Sequence, residues 1–445
     1  MRARLDRREP RPSAVRTWIR LVGLAVGVYL LGVFLLHRVD YLEDATAATR
    51  VSSSPPSGSL ATPTAAPPRR DPVTSAGALH VHTERSHDAV GTIEEVARAA
   101  RATGLGWVIV SDHQNNQDPA PLPRPRSLEG VIVLFSQERG LDREMGRVLV
   151  EGVDTVVFLG DTTEKLREVA ARPGVIAIVS HPRSPSERER WKTADAGGAD
   201  AWEVFNVHEG LVRGLTGYAM LAHAVGLIGS QAVGRVDRSV LRLYPRGFDE
   251  PSVPAFDSLY ARSAITALGG MDVHPMLRLF GRLWPAYEPF MRTVVNHVIL
   301  DRPLDSEPDR AAATIRDAIH RGRVFLSFGD TEAASAFRMR LEDGSGESIG
   351  VGDASDLREG ATLVVNPGSE HDRFVFRVIR DGRVVGTFFG GDLSWPVAGP
   401  GDYRVEVHRF SRRLGRFFWN LTPWIFTNPI RVLPPAAGTG ASHTG

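Results

Sequence analysis

From Gly77 onward, short runs rich in valine and isoleucine alternate with helical patterns, and this alternation constrains the fold more than any other feature. GALHVHT reads as a strand, TIEEVARAARATG as a helix and WVIVSDH as a strand. The helix opens on a capping box, Thr92 with Glu95 three residues on, and Gly104 stands just past its end. Further buried strands are predicted at VIVLFSQ (131–137), TVVFLG (155–160), VIAIVSHP (175–182), AWEVFN (201–206) and SAITALGGMDVH (263–274). Helical patterns such as TTEKLREVAARPG lie between several of them. Strands that alternate with helices pack as a parallel sheet covered by helices, either open or closed into a barrel. The last such unit is DRAAATIRDAIHRGRVFLSF, ending near Phe328.

The pattern changes after Asp330. Residues 335–433 hold alternating segments (FRMRLED, TLVVNPG, RFVFRVIRDGRVVGTFF, YRVEVHRF) divided by Gly, Asp and Pro turns. Arg380-Asp381-Gly382-Arg383 is a hairpin signal, because Asp-Gly suits a type I′ turn. A small all-β sandwich of about seven strands is expected, with a surface open to a ligand. The tail 434–445 reads as disordered. Upstream, residues 45–76 are dominated by Ser, Thr, Pro and Ala and read as a semi-extended linker.

The N-terminus carries its own signal. Residues 1–20 hold seven arginines against Asp6 and Glu9, a basic tail. An uninterrupted apolar run follows from Leu21 to Leu36, slightly short of the roughly 17–25 residues of a spanning helix. Trp18 and Ile19 extend it, and Arg20 can snorkel to the interface. With Asp40, Glu43 and Asp44 beyond it, the charge asymmetry predicts a single-pass anchor in the cell membrane, its N-terminus cytoplasmic and the rest of the chain extracytoplasmic. The competing reading is a cleaved signal peptide with Ala45-Thr46-Ala47 as its small-residue site, although that site lies far beyond the apolar run.

There is no cysteine, which excludes a disulfide scaffold, iron–sulfur clusters, cysteine-bound zinc and thiol nucleophiles. Any metal must be held by the 14 histidines and the carboxylates. A net charge of +1 argues against a general nucleic-acid binder. The informative point is where the polar residues fall. His80 and His82, Asp112 and His113, Glu138, His181, Glu203 and Asn206, and Asp272 and His274 sit mostly at the C-terminal ends of apolar strands. Active sites of parallel sheets are assembled at that edge. Imidazoles and carboxylates converging there suit Zn²⁺, Mn²⁺ or Fe²⁺.

The stretch GALHVHTERSHDAVGTIEEVARAARATGLGWVIVSDH resembles the opening motifs of the PHP (polymerase and histidinol phosphatase) superfamily, and SQERG, SHPRS, EVFN and GGMDVH follow in family order. The resemblance covers about Gly77 to Asp330. The C-terminus ending PWIFTNPIRV is similar to the carbaryl-hydrolase-like metallohydrolase branch. The resemblance implies a distorted (β/α)7 barrel with two or three divalent metals at the strand C-termini. It implies that His80 and His82 bind one metal with Asp272, that Glu138 bridges to a second held by His181, and that His87 or Asp88, His113 and His274 hold a third. One position departs: the family's histidine on the strand after the bridging glutamate is Arg147 here, in MGRVLV, which leaves the second metal one ligand short. Glu203 and Asn206 are expected to orient ligands, and Asp112 to orient a ligand or cap the turn. Arg183, close after His181, is a candidate phosphate or carboxylate donor. Asp272 or a cluster histidine such as His274 is a candidate general base or proton shuttle. The implied activity is metal-dependent hydrolysis of a small, possibly phosphorylated molecule by metal-activated water, with phosphoesters favoured. The alternatives are amide, ester or carbamate hydrolysis, and a non-catalytic metal-binding surface protein. His208, His223, His297, His320, His371, His408 and His443 match no motif and are expected to be structural or solvent-exposed.

Overall fold

Among the described residues of the computed structural model, seven strands between Val73 and Gly270 pair in succession: β1 (Val73–Val81), β2 (Trp107–Val110), β3 (Val131–Asp142), β4 (Gly146–Glu151), β5 (Ile176–Ser180), β6 (Ala201–Asn206) and β7 (Thr266–Gly270), with the short strand Arg126–Leu128 antiparallel to the start of β3. The structure describes residues 39–47, 72–113, 121–142, 146–160, 162–214, 251–329, 331–343, 347–356, 360–369 and 373–434. The apolar run 21–36, most of the linker and the tail from 435 lie outside the described residues, as do His223, His371 and His443. Among the described residues no helix is long and apolar enough to cross a membrane.

The strands pair in chain order. β1–β2, β2–β3, β5–β6 and β6–β7 are parallel, while β4 runs antiparallel to both β3 and β5. Past β7 the chain returns to β1: Met271 N bonds Leu79 O at 2.8 Å and Asp272 N bonds His80 O at 2.7 Å. The expected strand at 155–160 is not a strand; only Thr155 bridges, to Pro121. Val156 and Val157 are buried there, but a side chain satisfies the backbone. Gln137 donates to Val157 O (3.0 Å) and accepts from Val157 N (2.9 Å). Its amide thus stands in for a neighbouring strand, and the antiparallel place in the sheet goes to β4 instead.

Helices pack on this sheet by the spacing of their small and aliphatic residues. In α1 (Ile93–Ala102), Ile93, Val96, Ala97, Ala99 and Ala100 are buried, and the capping box of Thr92 and Glu95 is formed. α2 (Thr163–Ala170) covers TTEKLREVAARPG, and α3 (Val207–Gly214) leaves directly from the end of β6. α4 (Ser252–Ser263) precedes β7. α5 (Pro308–His320) buries Ala311, Ala312, Ile315, Ala318 and Ile319, and its first turn is capped by the Glu307 side chain.

The sheet does not stop at the compositional change near Asp330. β8 (Val294–Leu300) lies antiparallel on β1, β9 (Val324–Phe328) on β8, and Thr422–Thr427 on β9. From there the pairing continues through Gly401–Arg409 to Phe374–Arg380 and its hairpin partner Arg383–Gly390. The hairpin tip has φ of +50° at Asp381 and +75° at Gly382, the two left-handed residues of a type I′ turn. A separate four-stranded sheet is ordered Ser348–Gly350, Arg338–Glu342, Thr362–Asn366, Leu393–Pro396. Both sheets contribute to one hydrophobic cluster, Met339, Leu363 and Val365 from the small sheet and Phe376, Val405 and Trp424 from the large one. Two stretches at the ends of the expected linker are strands. Ala45–Ala47 pairs in parallel with Thr387–Phe389, and Val73–Ala76 belongs to β1.

A second compact unit holds, among the described residues, 39–43 and 410–421. Its described part is a three-stranded antiparallel sheet of Val39–Tyr41, Phe417–Trp419 and Arg412–Leu414, with Phe410 edge-on to buried Phe418 at 5.1 Å.

Candidate metal centre

β1 ends in Leu-His-Val-His, and the backbone there is bent to serve the side chains. His80 has φ +65° and sits at a bulge, where the β1–β2 register skips from Leu79 to Val81. Two other left-handed non-glycine residues lie just past neighbouring strand ends: His181 (φ +30°) after β5 and Asp272 (φ +51°) after β7. Such conformations cost on the order of 1–3 kcal/mol each and concentrate where a site requires them. All three residues are buried, and they meet at one point.

Glu138, in β3, is the centre of that point. Its Oε2 lies 3.5 Å from His80 Nε2, 3.5 Å from His82 Nε2 and 3.1 Å from His113 Nδ1. Its Oε1 lies 3.0 Å from His181 Nε2. Asp272 Oδ1 lies 3.3 Å from His80 Nε2 and 3.5 Å from His82 Nε2. Further out, Asp88 Oδ2 is 3.2 Å from His113 Nε2 and 3.5 Å from His274 Nε2, and the His274 ring stacks on His82 at 3.9 Å. Three groups of donor atoms are close enough to hold a metal ion: His80, His82 and Asp272; His80, Glu138 and His181; and His82, Asp88, His113 and His274.

The predicted ligands His80, His82, Asp88, His113, Glu138, His181, Asp272 and His274 thus converge. Of the pair His87 or Asp88, it is Asp88 that faces the cluster. The His87 side chain is 79% exposed, its Nε2 is 3.9 Å from Asp88, and its ring is 5.3 Å from that of His113. Arg183 is exposed and contributes to none of the three groups. Arg147 does reach the cluster: its Nη1 is 3.3 Å from His113 Nδ1 and 3.7 Å from Glu138 Oε1.

The surroundings fix which ring nitrogen faces inward. His80 Nδ1 donates to Glu203 Oε1 at 2.7 Å, which turns Nε2 toward the carboxylates. Glu203 Oε2 accepts from His181 N (2.8 Å) and from Asn206 Nδ2 (3.0 Å), so one carboxylate positions two ligands on different strands. β7 can pass over it only because residue 270 is glycine: a Cβ there would stand 2.2 Å from Glu203 Oε1. Asp112 holds the turn after β1, accepting from Thr83 N (2.6 Å) and Thr83 Oγ1 (2.8 Å). Ser86 Oγ contacts His82 Nδ1 at 3.1 Å and accepts from His113 N at 2.8 Å.

The electrostatics call for cations. Burial alone would lower the His80 pKa, but Glu203, Asp272 and Glu138 reverse this and hold it well above its ordinary value. His181 is likewise opposed by burial yet raised to about 9 by its hydrogen bond and charge pairing with Glu138. Against their own desolvation, Glu138 and Asp272 are held well below the carboxylate range, both by His80 first among the charges. Burial dominates at His82, whose pKa falls to about 4, so this ring is neutral and a competent ligand. His80 Nε2 and His82 Nε2 are buried without a hydrogen bond, although carboxylate oxygens stand 3.3–3.5 Å away. Imidazole nitrogens and carboxylates spaced in this way fit a divalent cation, which would partner His80 Nε2 and His82 Nε2 and displace the protons that the raised pKa values of His80 and His181 hold there.

One neighbour carries no sequence signal. His208, on α3, stands with its ring 6.0 Å from that of His274. His297 is fully buried, bonded to Ser327 Oγ at 2.8 Å and stacked on Phe325, and burial lowers its pKa to about 3.

No protein-family model and no curated protein matches this chain. Among solved structures it is similar to a two-domain protein from Bacteroides vulgatus containing a predicted PHP-like metal-dependent phosphoesterase. The identity is 14% and the TM-score 0.38, over 79% of this chain and 95% of that one. That degree of likeness is too low to carry over fold or activity, which rest on the chain's own residues.

Proposed function

We propose that the chain is a metal-dependent hydrolase of the PHP type, acting on phosphoesters of small molecules, with β1–β7 as its distorted (β/α)7 barrel. The observation that carries this reading is the shared use of Glu138 and Asp272 by buried imidazoles from two strand ends, with His80 Nε2 and His82 Nε2 lacking a hydrogen bond. His80, His82 and Asp272 would hold one Zn²⁺, Mn²⁺ or Fe²⁺, and Asp88, His113 and His274 another. A divalent cation held there would lower the pKa of a bound water toward neutrality and polarise a phosphoryl oxygen. The chain's own part is to fix the donors. Glu203 locks the His80 tautomer, Asp112 pins the β1 turn, and Asp272, ionised and at the cluster edge, can accept a proton from the attacking water. His274, partly exposed, can pass that proton outward, and Arg183 is a candidate contact for the substrate anion. The membrane anchor at 21–36, the outward orientation and a ligand-binding role for the C-terminal β region complete the reading.

The test is elemental analysis of the purified full chain, followed by a screen of phosphomonoesters, phosphodiesters, carboxyl esters and carbamates. Bound transition metal and phosphoesterase turnover that falls at least ~100-fold in His80→Ala are expected. A chain that takes up no transition metal would overturn the proposal. Turnover confined to carboxyl esters or carbamates would move it to the other hydrolase class, and metal without turnover would favour a binding protein.

A further inference from the structure

The position of the Arg147 guanidinium has a consequence for the metal content of the cluster. Arg147 is the second residue of β4, paired in register with Gly140 on β3 and Ser180 on β5, directly between the strands that supply Glu138 and His181. Its Nη1 lies 3.7 Å from Glu138 Oε1 and within 3.3 and 3.5 Å of the two ring nitrogens of His113. Its Nη2 is held from the other side by Glu189 Oε1 at 3.6 Å, which directs the fork inward. Glu138 Oε1 is also the oxygen that His181 Nε2 approaches at 3.0 Å. The guanidinium therefore stands at the same oxygen that the His80, Glu138 and His181 group would offer to a metal.

We infer that Arg147 is a built-in cation of this cluster, taking the charge place of one dication at Glu138 Oε1, so that the chain holds one metal fewer than its three donor groups would accept. The inference rests on the proposed metal-binding role of the cluster. Arginine cannot shed its charge at any physiological pH, so its repulsion of a neighbouring dication is permanent. The three groups contain only three carboxylates, Asp88, Glu138 and Asp272. Three dications already exceed that negative charge before the guanidinium is counted. Replacing one of them by a single fixed positive charge brings the cluster nearer to balance, and it needs no ligand from β4. The donor set left for metals is then His80, His82 and Asp272 on one side and Asp88, His113 and His274 on the other, since the single inward nitrogen of His82 can serve only one ion.

Metal content itself is the readout. Wild type, Arg147→His and Arg147→Lys are purified as full chains, loaded with the same excess of Zn²⁺ or Mn²⁺, desalted and measured for metal equivalents per chain. Arg147→His, which removes the fixed charge and adds a ligand, is expected to carry one equivalent more than wild type. Arg147→Lys keeps the charge and is expected to match wild type. Should Arg147→His fail to fold by circular dichroism, Arg147→Gln replaces it. Its additional equivalent is then expected to bind at least ~10-fold more tightly than any such equivalent in wild type, by chelator competition. Equal metal content in wild type and Arg147→His overturns the inference while leaving the metal-site reading intact, and so does an extra equivalent in Arg147→Lys. Absence of metal from every variant overturns both.

Discussion

Substituting Gly270 by alanine tests the support of the cluster without touching a ligand. An ideal Cβ at this position falls 2.2 Å from Glu203 Oε1, 2.5 Å from its Cδ and 2.9 Å from Oε2, whereas ordinary contact begins near 3.4 Å. Gly270 has no left-handed φ, so the clash is the whole perturbation. Glu203 must withdraw by about 1 Å, and it has little freedom to do so. It is fully buried and tied to His80 Nδ1 at 2.7 Å, His181 N at 2.8 Å and Asn206 Nδ2 at 3.0 Å. A shift of that size carries at least one of these bonds beyond hydrogen-bond range. Hydrogen bonds to a charged group contribute about 1.5–3 kcal/mol, and overpacking costs about 1–3 kcal/mol. We therefore expect Gly270→Ala to lose about 2–4 kcal/mol of stability in chelator-treated protein, measured by urea unfolding followed by near-UV circular dichroism. Released from Glu203, the His80 ring also loses its fixed tautomer, and metal affinity is expected to fall about 10–100-fold in competition with a fluorescent chelator. Gly140, whose Cβ would meet nothing within 4 Å, provides the control as Gly140→Ala. Stability within about 0.5 kcal/mol of wild type together with affinity within about twofold would refute the argument.

Two further predictions probe the frame around the site. Burial raises Glu151 from 4.5 to about 7 even though Arg316 bonds it at 2.9 Å, so the folded state resists a charge that the unfolded state accepts freely. The wild type therefore loses stability between pH 4.5 and 7, whereas Glu151→Gln does not. The stability difference in favour of Glu151→Gln is expected to grow by about 3 kcal/mol from pH 4 to pH 8 in urea titrations, and a pH-independent difference would contradict it. Asn428, fully buried, uses its amide to join β7 and β9, accepting from Ala267 N (2.7 Å) and donating to Ala267 O (3.0 Å) and Val324 O (2.9 Å). Asn428→Ala strands these backbone groups and is expected to cost about 3–5 kcal/mol in urea unfolding at neutral pH, while a loss below about 1 kcal/mol would show that they find other partners.

The parts of the molecule visible in the sequence are those set by local pattern, and the parts that were hidden depend on residues far apart in the chain. The capping box at Thr92 and Glu95 and the Asp381-Gly382 turn are local rules obeyed locally. The residues of the cluster could be read because they stand at or just past strand ends, several of them in short motifs such as Leu-His-Val-His. Gln137 shows the opposite case. Nothing in the run at 155–160 says that an amide twenty residues earlier will satisfy its backbone, so an apolar segment that looks like a strand is not one. The change in composition near Asp330 likewise gives no hint that Phe325 will pair with Thr427 and carry the sheet onward. His208 reaches the cluster only because α3 leaves the end of β6 beside it. The same division explains the bent backbone at His80, His181 and Asp272, where side-chain type would favour ordinary strand geometry. The conformations are held from outside the strands. Asp272 N bonds His80 O, His181 N bonds Glu203, and Glu203 in turn bonds His80. Each strained residue is thus restrained by a bond involving another strained residue or the carboxylate they share. Loss of Glu203 should therefore relax the backbone of more than one cluster residue at once, which ties the site to a glutamate outside its three donor groups and to the glycine that makes room for it.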